Sequence, residues 1–314
     1  MGVKTRVLTH FKQFPRGRAS SVCIGNFDGI HRAHQKILKE CLRSAKRRKL
    51  ASVVFTFDPH PSKYFSPAGA PKLLMTKEER RELLSKMGFD FILEQRFNRA
   101  FVSLSAEKFV SQVLVKALNA RVLTVGSNFR FGFRAQGNLT LLRKLKCFQI
   151  RSISPIKQNQ KRLSSTRIRK LISRGDISEA NLLLGHSYFL SGKVIRGFQR
   201  GRKLGFPTAN IQTARECLPK PGVYVTYFFD IASKKKYPSV TSVGFNPTFK
   251  NSQLSIESFL LDFQGNLYGK KIKLSFLRRL RNEKKFSNLD RLKSQMSRDV
   301  REARRYFLRG ASIF

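Results

Sequence analysis

Cysteine is sparse in this sequence. Cys23, Cys41, Cys147 and Cys217 are the whole complement, and no pair has the C-x-x-C spacing. A disulfide framework and a thiolate metal site are disfavoured, and reduced, buried thiols are expected. Histidine is also scarce. No Glu follows His31 as in H-E-x-x-H, and beyond His34 only His10, His60 and His186 remain, which argues against a histidine-held metal. Nowhere do about 18 apolar residues run together, and Met1 to His10 carry no signal-peptide apolar core. The expectation is a soluble, cytoplasmic chain with no transmembrane segment. Internal repeats and low-complexity tracts are absent too.

Acidic residues are few: 19 Asp plus Glu face 63 Lys plus Arg, a formal net charge of +44. Such a field attracts polyanions without naming one; nucleotides, nucleic acid and anionic membranes all qualify. A disordered basic tail is excluded, because 41% hydrophobic content with 28 Phe is globular. With 314 residues the chain has room for two domains, each with its own core.

The most informative stretch is Ser21 to Leu42. Val22, Cys23 and Ile24 read as a short buried strand, and Gly25 to Gly29 as a tight turn. A helix follows, with Asp28 as its expected N-cap and Ile30, His34, Ile37, Leu38, Cys41, Leu42 and Ala45 along one face. His31 and His34 then lie in its first turns, beside the N–H groups and positive dipole end that hold phosphate. For an isolated histidine, a satisfied core residue would be the better reading of His34. The rest of the chain favours a nucleotide site.

Further strands are expected at Ala51–Phe57, Asp90–Leu93, Arg121–Val125 and Gln149–Ile153. Helices should open at Thr76 and Ser105, with two short ones from Ser165 and from Asp176. Alternating strands and helices imply βαβ units and a parallel sheet covered on both faces. Ligands gather at the carboxyl ends of such strands. The histidine turn, Asp58-Pro-His-Pro and the loop Gly126–Gly132 should share that rim.

From Tyr188 the pattern changes to closely spaced β runs, Tyr188–Ile195, Gly222–Ile231, Tyr237–Gly244, Leu254–Phe263 and Lys271–Leu280, most simply a small antiparallel barrel. A last helix carries Leu289, Leu292, Met296, Val300, Ala303 and Phe307 on the face expected to lie against it. The loop Arg200–Asn210 joins glycines, cations, Thr208 and Asn210; its backbone can approach phosphate and its oxygens suit Mg²⁺. Alternation puts Glu257 on a face with Phe259, Leu261 and Phe263, where a carboxylate is costly without a task such as general base catalysis. Escape to water near the strand end is the competing reading.

These constellations, in this order, resemble the bifunctional bacterial riboflavin kinase/FMN adenylyltransferases, also called FAD synthetases. Ile24–His34 looks like the family's first nucleotidyltransferase motif, Thr56–Pro61 its second-strand motif and Gly126–Gly132 its flavin-side loop. Ser164–Arg169 looks like the closing phosphate motif, and Gly205–Asn210 the kinase Mg·ATP loop. Pro221–Tyr224, Asn246–Phe249, Glu257 and Leu280–Phe286 follow in the family's order. Ala33 stands where the family usually has glycine, and Phe245 where it has a smaller polar residue.

The resemblance implies a Rossmann-like adenylyltransferase domain over residues 1–185. A β-barrel kinase domain with a C-terminal helix would occupy 186–314. In the first, His31, His34 and Arg169 would stabilise charge, with Gly25, Asn26, Phe27, Asp28, Phe57, Asn128, Ser165 and Thr166 binding substrate. In the second, Glu257 would be the base, Thr208 and Asn210 would hold Mg²⁺, and Gly201, Arg202, Gly205, Pro207, Arg281 and Phe286 would line the site. ATP, riboflavin, FMN and FAD are the implied substrates and products. No specific nucleic-acid partner is implied, although the charge allows non-specific polyanion attraction. Two alternatives stay open on sequence: kinase activity only, or a basic RNA- or membrane-surface-binding protein on a retired enzyme scaffold.

Overall fold

Val22, Cys23 and Ile24 lack polar alternation because both faces of their strand are covered, and they anchor a six-stranded parallel sheet. The computed structural model describes residues 5–197, 205–245 and 254–310. The sheet comprises β1 (Arg6–Leu8), β2 (Ser20–Ile24), β3 (Ala51–Asp58), β4 (Phe91–Arg96), β5 (Ala120–Gly126) and β6 (Gln149–Ile153), in spatial order β1-β4-β3-β2-β5-β6. Sequence patterning anticipates five of the six; β1 is three residues long, too short to show a period. Asp90 lies outside β4, where its carboxylate accepts from the Ser52 amide at 2.8 Å and hydroxyl at 2.7 Å.

Helix α1 (Arg32–Arg48) buries Leu38, Cys41, Ser44 and Ala45. It begins four residues after Asp28: the cap is His31, whose Nδ1 accepts from the His34 amide at 3.3 Å. Asp28 is instead buried in the preceding turn, where Phe27 (φ 49°), Gly29 (φ 85°) and Ile30 (φ 38°) have left-handed backbone. Such conformations delay the helix, and at Ile30 they strain a β-branched residue. The connections between later strands carry α2 (Pro61–Phe65), α3 (Lys77–Lys86), α4 (Arg99–Val102), α5 (Ala106–Lys108) and α6 (Leu139–Leu145).

Chain contacts divide the molecule into two compact units, one of residues 1–72 and 77–164, the other of 73–76 and 165–314. The division falls 21 residues before the 185/186 boundary that the resemblance implies. Helices α7 (Ser165–Arg174) and α8 (Ile177–Leu184) thus belong with the barrel. Asn181 supplies a reason. Buried on α8, it donates to the Phe276 carbonyl at 2.8 Å and accepts from the Tyr188 amide at 2.6 Å.

After a short two-stranded hairpin of β7 (Lys157–Gln158) and β8 (Lys161–Arg162), the second unit is a closed antiparallel barrel of β9 (Tyr188–Ile195), β10 (Thr208–Gln212), β11 (Gly222–Asp230), β12 (Lys236–Phe245), β13 (Leu254–Leu260) and β14 (Lys271–Arg281). Their order around the barrel is β10-β13-β12-β11-β14-β9. Strand β10 lies in the stretch read as a phosphate loop. Strand β13 ends before Leu261, which packs beneath α9 (Leu289–Leu308), while Asp262 turns with φ 55°. On α9, Val300, Ala303 and Phe307 face Val223, Val225, Val240 and Leu277, whereas Leu289 is 66% exposed and takes no part. Among the described residues no helix is long and apolar enough to cross a membrane.

Candidate active sites

In the parallel sheet Ile24 pairs with Phe55, Phe55 with Leu93 and Gly126 with Ile153, so the carboxyl ends of β2 to β6 share one rim. There the chain leaves β2 through Gly25, whose amide donates to the Phe55 carbonyl at 3.1 Å. A Cβ on Gly25 would stand 3.1 Å from the Phe27 ring, which is itself fully buried. Backbone thus approaches a ring that fills the turn from beneath.

His31 and His34 stack at 3.6 Å between ring centroids, 15° from parallel, and Phe27 meets His34 edge-on at 5.4 Å. Burial, and then the neighbouring His31 ring, push the His34 imidazole well below its usual range. It is neutral at pH 7. Its Nδ1 is buried without a hydrogen-bond partner. No acidic residue occupies the first turn of α1. An orphaned polar atom, two imidazoles and a helix N-terminus make a place for an anion.

Around the same rim, Phe57 contacts Phe97 at 5.4 Å and Phe101 at 6.0 Å, and Phe97 contacts Tyr64 at 5.5 Å and Phe65 at 5.7 Å. Phe65 is 66% exposed and Tyr64 36%. Of these rings, sequence reasoning singled out Phe57 alone. The others lie in segments without a strand or helix period, so no sequence signal marks them. Asn128 lies on the exposed loop after β5, its Oδ1 against Gly126. Gly132 closes the loop at φ +74°, where a Cβ would sit 2.7 Å from the Ala106 backbone.

Ser165, Thr166 and Arg169 open α7 in the second unit, where Arg169 donates to the Thr166 hydroxyl at 3.2 Å. Within the barrel, pairing of β10 with β13 sets Asn210 opposite Glu257 and Thr208 opposite Phe259. The Thr208 hydroxyl donates to Glu257 Oε2 at 3.2 Å. Glu257 itself is half-buried: the inward positions of β13 are Ile256, Ser258 and Leu260, so the shared apolar face expected with Leu261 and Phe263 reduces to Phe259. Asn210 packs against Gly197 so closely that a Cβ there would collide with its amide. Phe206 meets Phe259 edge-on at 5.3 Å.

These residues fit a hard divalent cation. Thr208 and Asn210 offer neutral oxygens, and a hydroxyl that gives its proton to Glu257 keeps lone pairs for a metal. Among the described residues no three His, Cys, Asp or Glu gather, so softer, all-protein metal cages have no counterpart there. Gly205 and Pro207 lead into β10 and are exposed. Arg281 is committed to Asp299, with Nε–Oδ1 2.9 Å and Nη2–Oδ2 2.8 Å, and lies 5.8 Å from the Phe286 ring. Gly201, Arg202 and Asn246–Phe249 lie outside the described residues, as does the Phe245 side chain.

Comparison with known proteins finds a family match for each of the two folds. Residues 14–167 match the FAD synthetase family and 184–307 the riboflavin kinase family. The bifunctional riboflavin kinase/FMN adenylyltransferase of Escherichia coli (strain K12) is 37% identical over 287 residues, 90% of this chain and 91% of that protein. Its namesake in Listeria monocytogenes is 36% identical over 291 residues, 91% and 92% of the two chains. A crystal structure described as a macrolide-efflux protein from Streptococcus pneumoniae superposes with TM-score 0.86 at 30% identity, covering 96% of this chain and 99% of its own. Two segments, each matched by its own family and both matched together by relatives at 36–37% identity over nine-tenths of either chain, place this chain in the bifunctional riboflavin kinase/FMN adenylyltransferase family.

Proposed function

We propose that the chain converts riboflavin to FMN in the barrel and FMN to FAD in the parallel-sheet unit, consuming one ATP in each step. The observation that carries the kinase half is the β10–β13 register, which sets Asn210 across from Glu257 and leaves the Thr208 hydroxyl on Oε2. Oε1 is then the carboxylate oxygen available to take the proton from riboflavin's 5′-hydroxyl. The riboflavin 5′-oxygen, its proton now on Oε1, attacks the γ-phosphorus of ATP, the bond from γ-phosphorus to the bridging oxygen breaks, and ADP leaves. Thr208 and Asn210 would hold Mg²⁺, which supplies charge neutralisation on the phosphates.

In the adenylyl-transfer half, an FMN phosphate oxygen attacks the α-phosphorus of ATP and pyrophosphate departs. No protein nucleophile takes part, so the residues contribute position and charge. The neutral His34 and its partner His31 offer ring N–H groups beside the α1 terminus, with Gly25 to Asp28 as the backbone turn. The aromatic rim of Phe57, Phe97, Phe101, Tyr64 and Phe65 suits the flavin ring. Ser165, Thr166 and Asn128 are assigned to substrate binding, and Arg169 to charge stabilisation, on the family motif. Arg281 with Phe286 completes the kinase assignment.

Incubation of the pure chain with riboflavin, Mg²⁺ and ATP, followed by separation of flavins, tests the proposal. FMN followed by FAD is the expected sequence of products. FMN alone reduces the assignment to the kinase, and neither product, together with salt-dependent RNA binding, overturns it.

A further inference from the structure

Glu94 on β4 has a side chain with no exposure at all, yet three cations of α3 converge on it. Arg81 Nε lies at 3.0 Å, Arg80 Nη2 at 3.4 Å and Lys77 Nζ at 3.6 Å, and Lys77 also pairs with Asp58. Arg80 reaches further than its neighbours. It is 8% exposed, its Nη1 donates to the Asn26 carbonyl at 3.3 Å and its Nη2 to the Phe57 carbonyl at 3.4 Å. The first carbonyl belongs to the glycine turn after β2, the second to the strand end that carries the aromatic rim.

We propose that Arg80, held by Glu94, is a positioning residue for adenylyl transfer: its fork ties the Gly25–Asp28 turn to Phe57 and so sets the spacing of the two substrates. The inference rests on the adenylyltransferase reading given above. As a stability device this arrangement is poor. Arg80 Nε is buried without a partner, and apolar residues of similar volume often replace buried ion pairs without loss of stability. What an apolar side chain cannot do is bridge two carbonyls from separate strands. A planar guanidinium does so with a fixed separation, whereas a lysine ammonium is a single point. In-line attack of one bound phosphate on another is sensitive to that separation, since a misplacement of about 1 Å can cost about 10²-fold.

The test uses the full chain, in which the riboflavin kinase reaction serves as an internal control. Arg80→Lys, Arg80→Met and the double variant Arg80→Met/Glu94→Leu are assayed for FAD formation from supplied FMN, for riboflavin phosphorylation and for thermal midpoint. Each variant is expected to lose about tenfold or more in the kcat of FAD formation, with KM for ATP and FMN little changed and FMN formation at the wild-type rate. The double variant, which also takes the carboxylate from Arg81 and Lys77, should lower the thermal midpoint further than Arg80→Met does, without recovering kcat. A double variant that makes FAD at the wild-type rate would show the cluster to be structural and overturn the proposal. If Arg80→Met fails to fold, Arg80→Lys decides, since it keeps a cation beside Glu94; a wild-type rate from it overturns the proposal equally. A wild-type chain that makes FMN but no FAD removes the adenylyltransferase reading itself, a result distinguishable from variants that differ from an active parent.

Discussion

The rim beside His31 and the face beside Glu257 gather polar side chains by different means. At the first, neighbours in sequence do the work: Gly25 to His34 is one continuous segment, and the left-handed backbone at Phe27, Gly29 and Ile30 folds it so that a histidine caps the helix and stacks on the next. At the second, Asn210 and Glu257 are 47 positions apart and meet only because β10 and β13 pair in one register. The first site stores its precision in local strain and burial, the second in hydrogen-bonded ladders. Perturbations should therefore separate them cleanly.

The largest separation is expected from Glu257→Gln. With the proposed general base gone, riboflavin phosphorylation should fall by about 10³-fold, while FAD formation from supplied FMN keeps its rate. Loss of both, or of neither, in a flavin separation assay would break the contrast. His31→Ala gives the mirror image. Loss of the cap and stack should lower FAD formation by about 10²-fold and leave FMN formation intact.

A third test sharpens where the two regions divide. A fragment of residues 165–314 keeps Asn181 and its bonds to Phe276 and Tyr188, whereas one of 186–314 exposes or orphans both groups. Each buried group left unpaired costs about 1–3 kcal/mol. The shorter fragment should thus unfold at lower urea by about 2 kcal/mol or more. Equal stability would favour the boundary at 185/186.

The smallest effect concerns pH. Folding holds His34 well below its ordinary value of 6.5. Below that value the unfolded chain therefore takes up a proton that the folded chain refuses, and stability falls as pH falls. Between pH 7.5 and 5.5 the loss from this group is about 1 kcal/mol, read as the difference between wild type and His34→Phe in urea titrations at the two pH values. A slope identical in both proteins would mean that His34 is not held neutral.

Much of this molecule was legible in its local chemistry. Caps at Ser105 and Gly185, the strand Gln149–Ile153, the strand Tyr188–Ile195 and the histidine turn all follow from spacing. Misplaced features share a cause. Asp28 is a good cap by residue type, but the left-handed turn leaves that position to His31. Leu261 and Phe263 continue an alternation that the Asp262 turn interrupts. Tyr64, Phe65 and Phe97 lie in segments without a period, so their assembly into a rim leaves no mark on the sequence.

From the amino-acid order alone came the periods of two and of three to four that make strands and helices, and the change of pattern near Tyr188 that divides α/β from β. Those are short-range properties, decided by sterics and by which faces are apolar. Tertiary structure alone decided that α7 and α8 pack with the barrel, that Asn210 faces Glu257, and that Arg80 spans from Asn26 to Phe57. Strand register and buried side-chain bonds between distant segments depend on how whole surfaces fit, and no local window of residues contains that information.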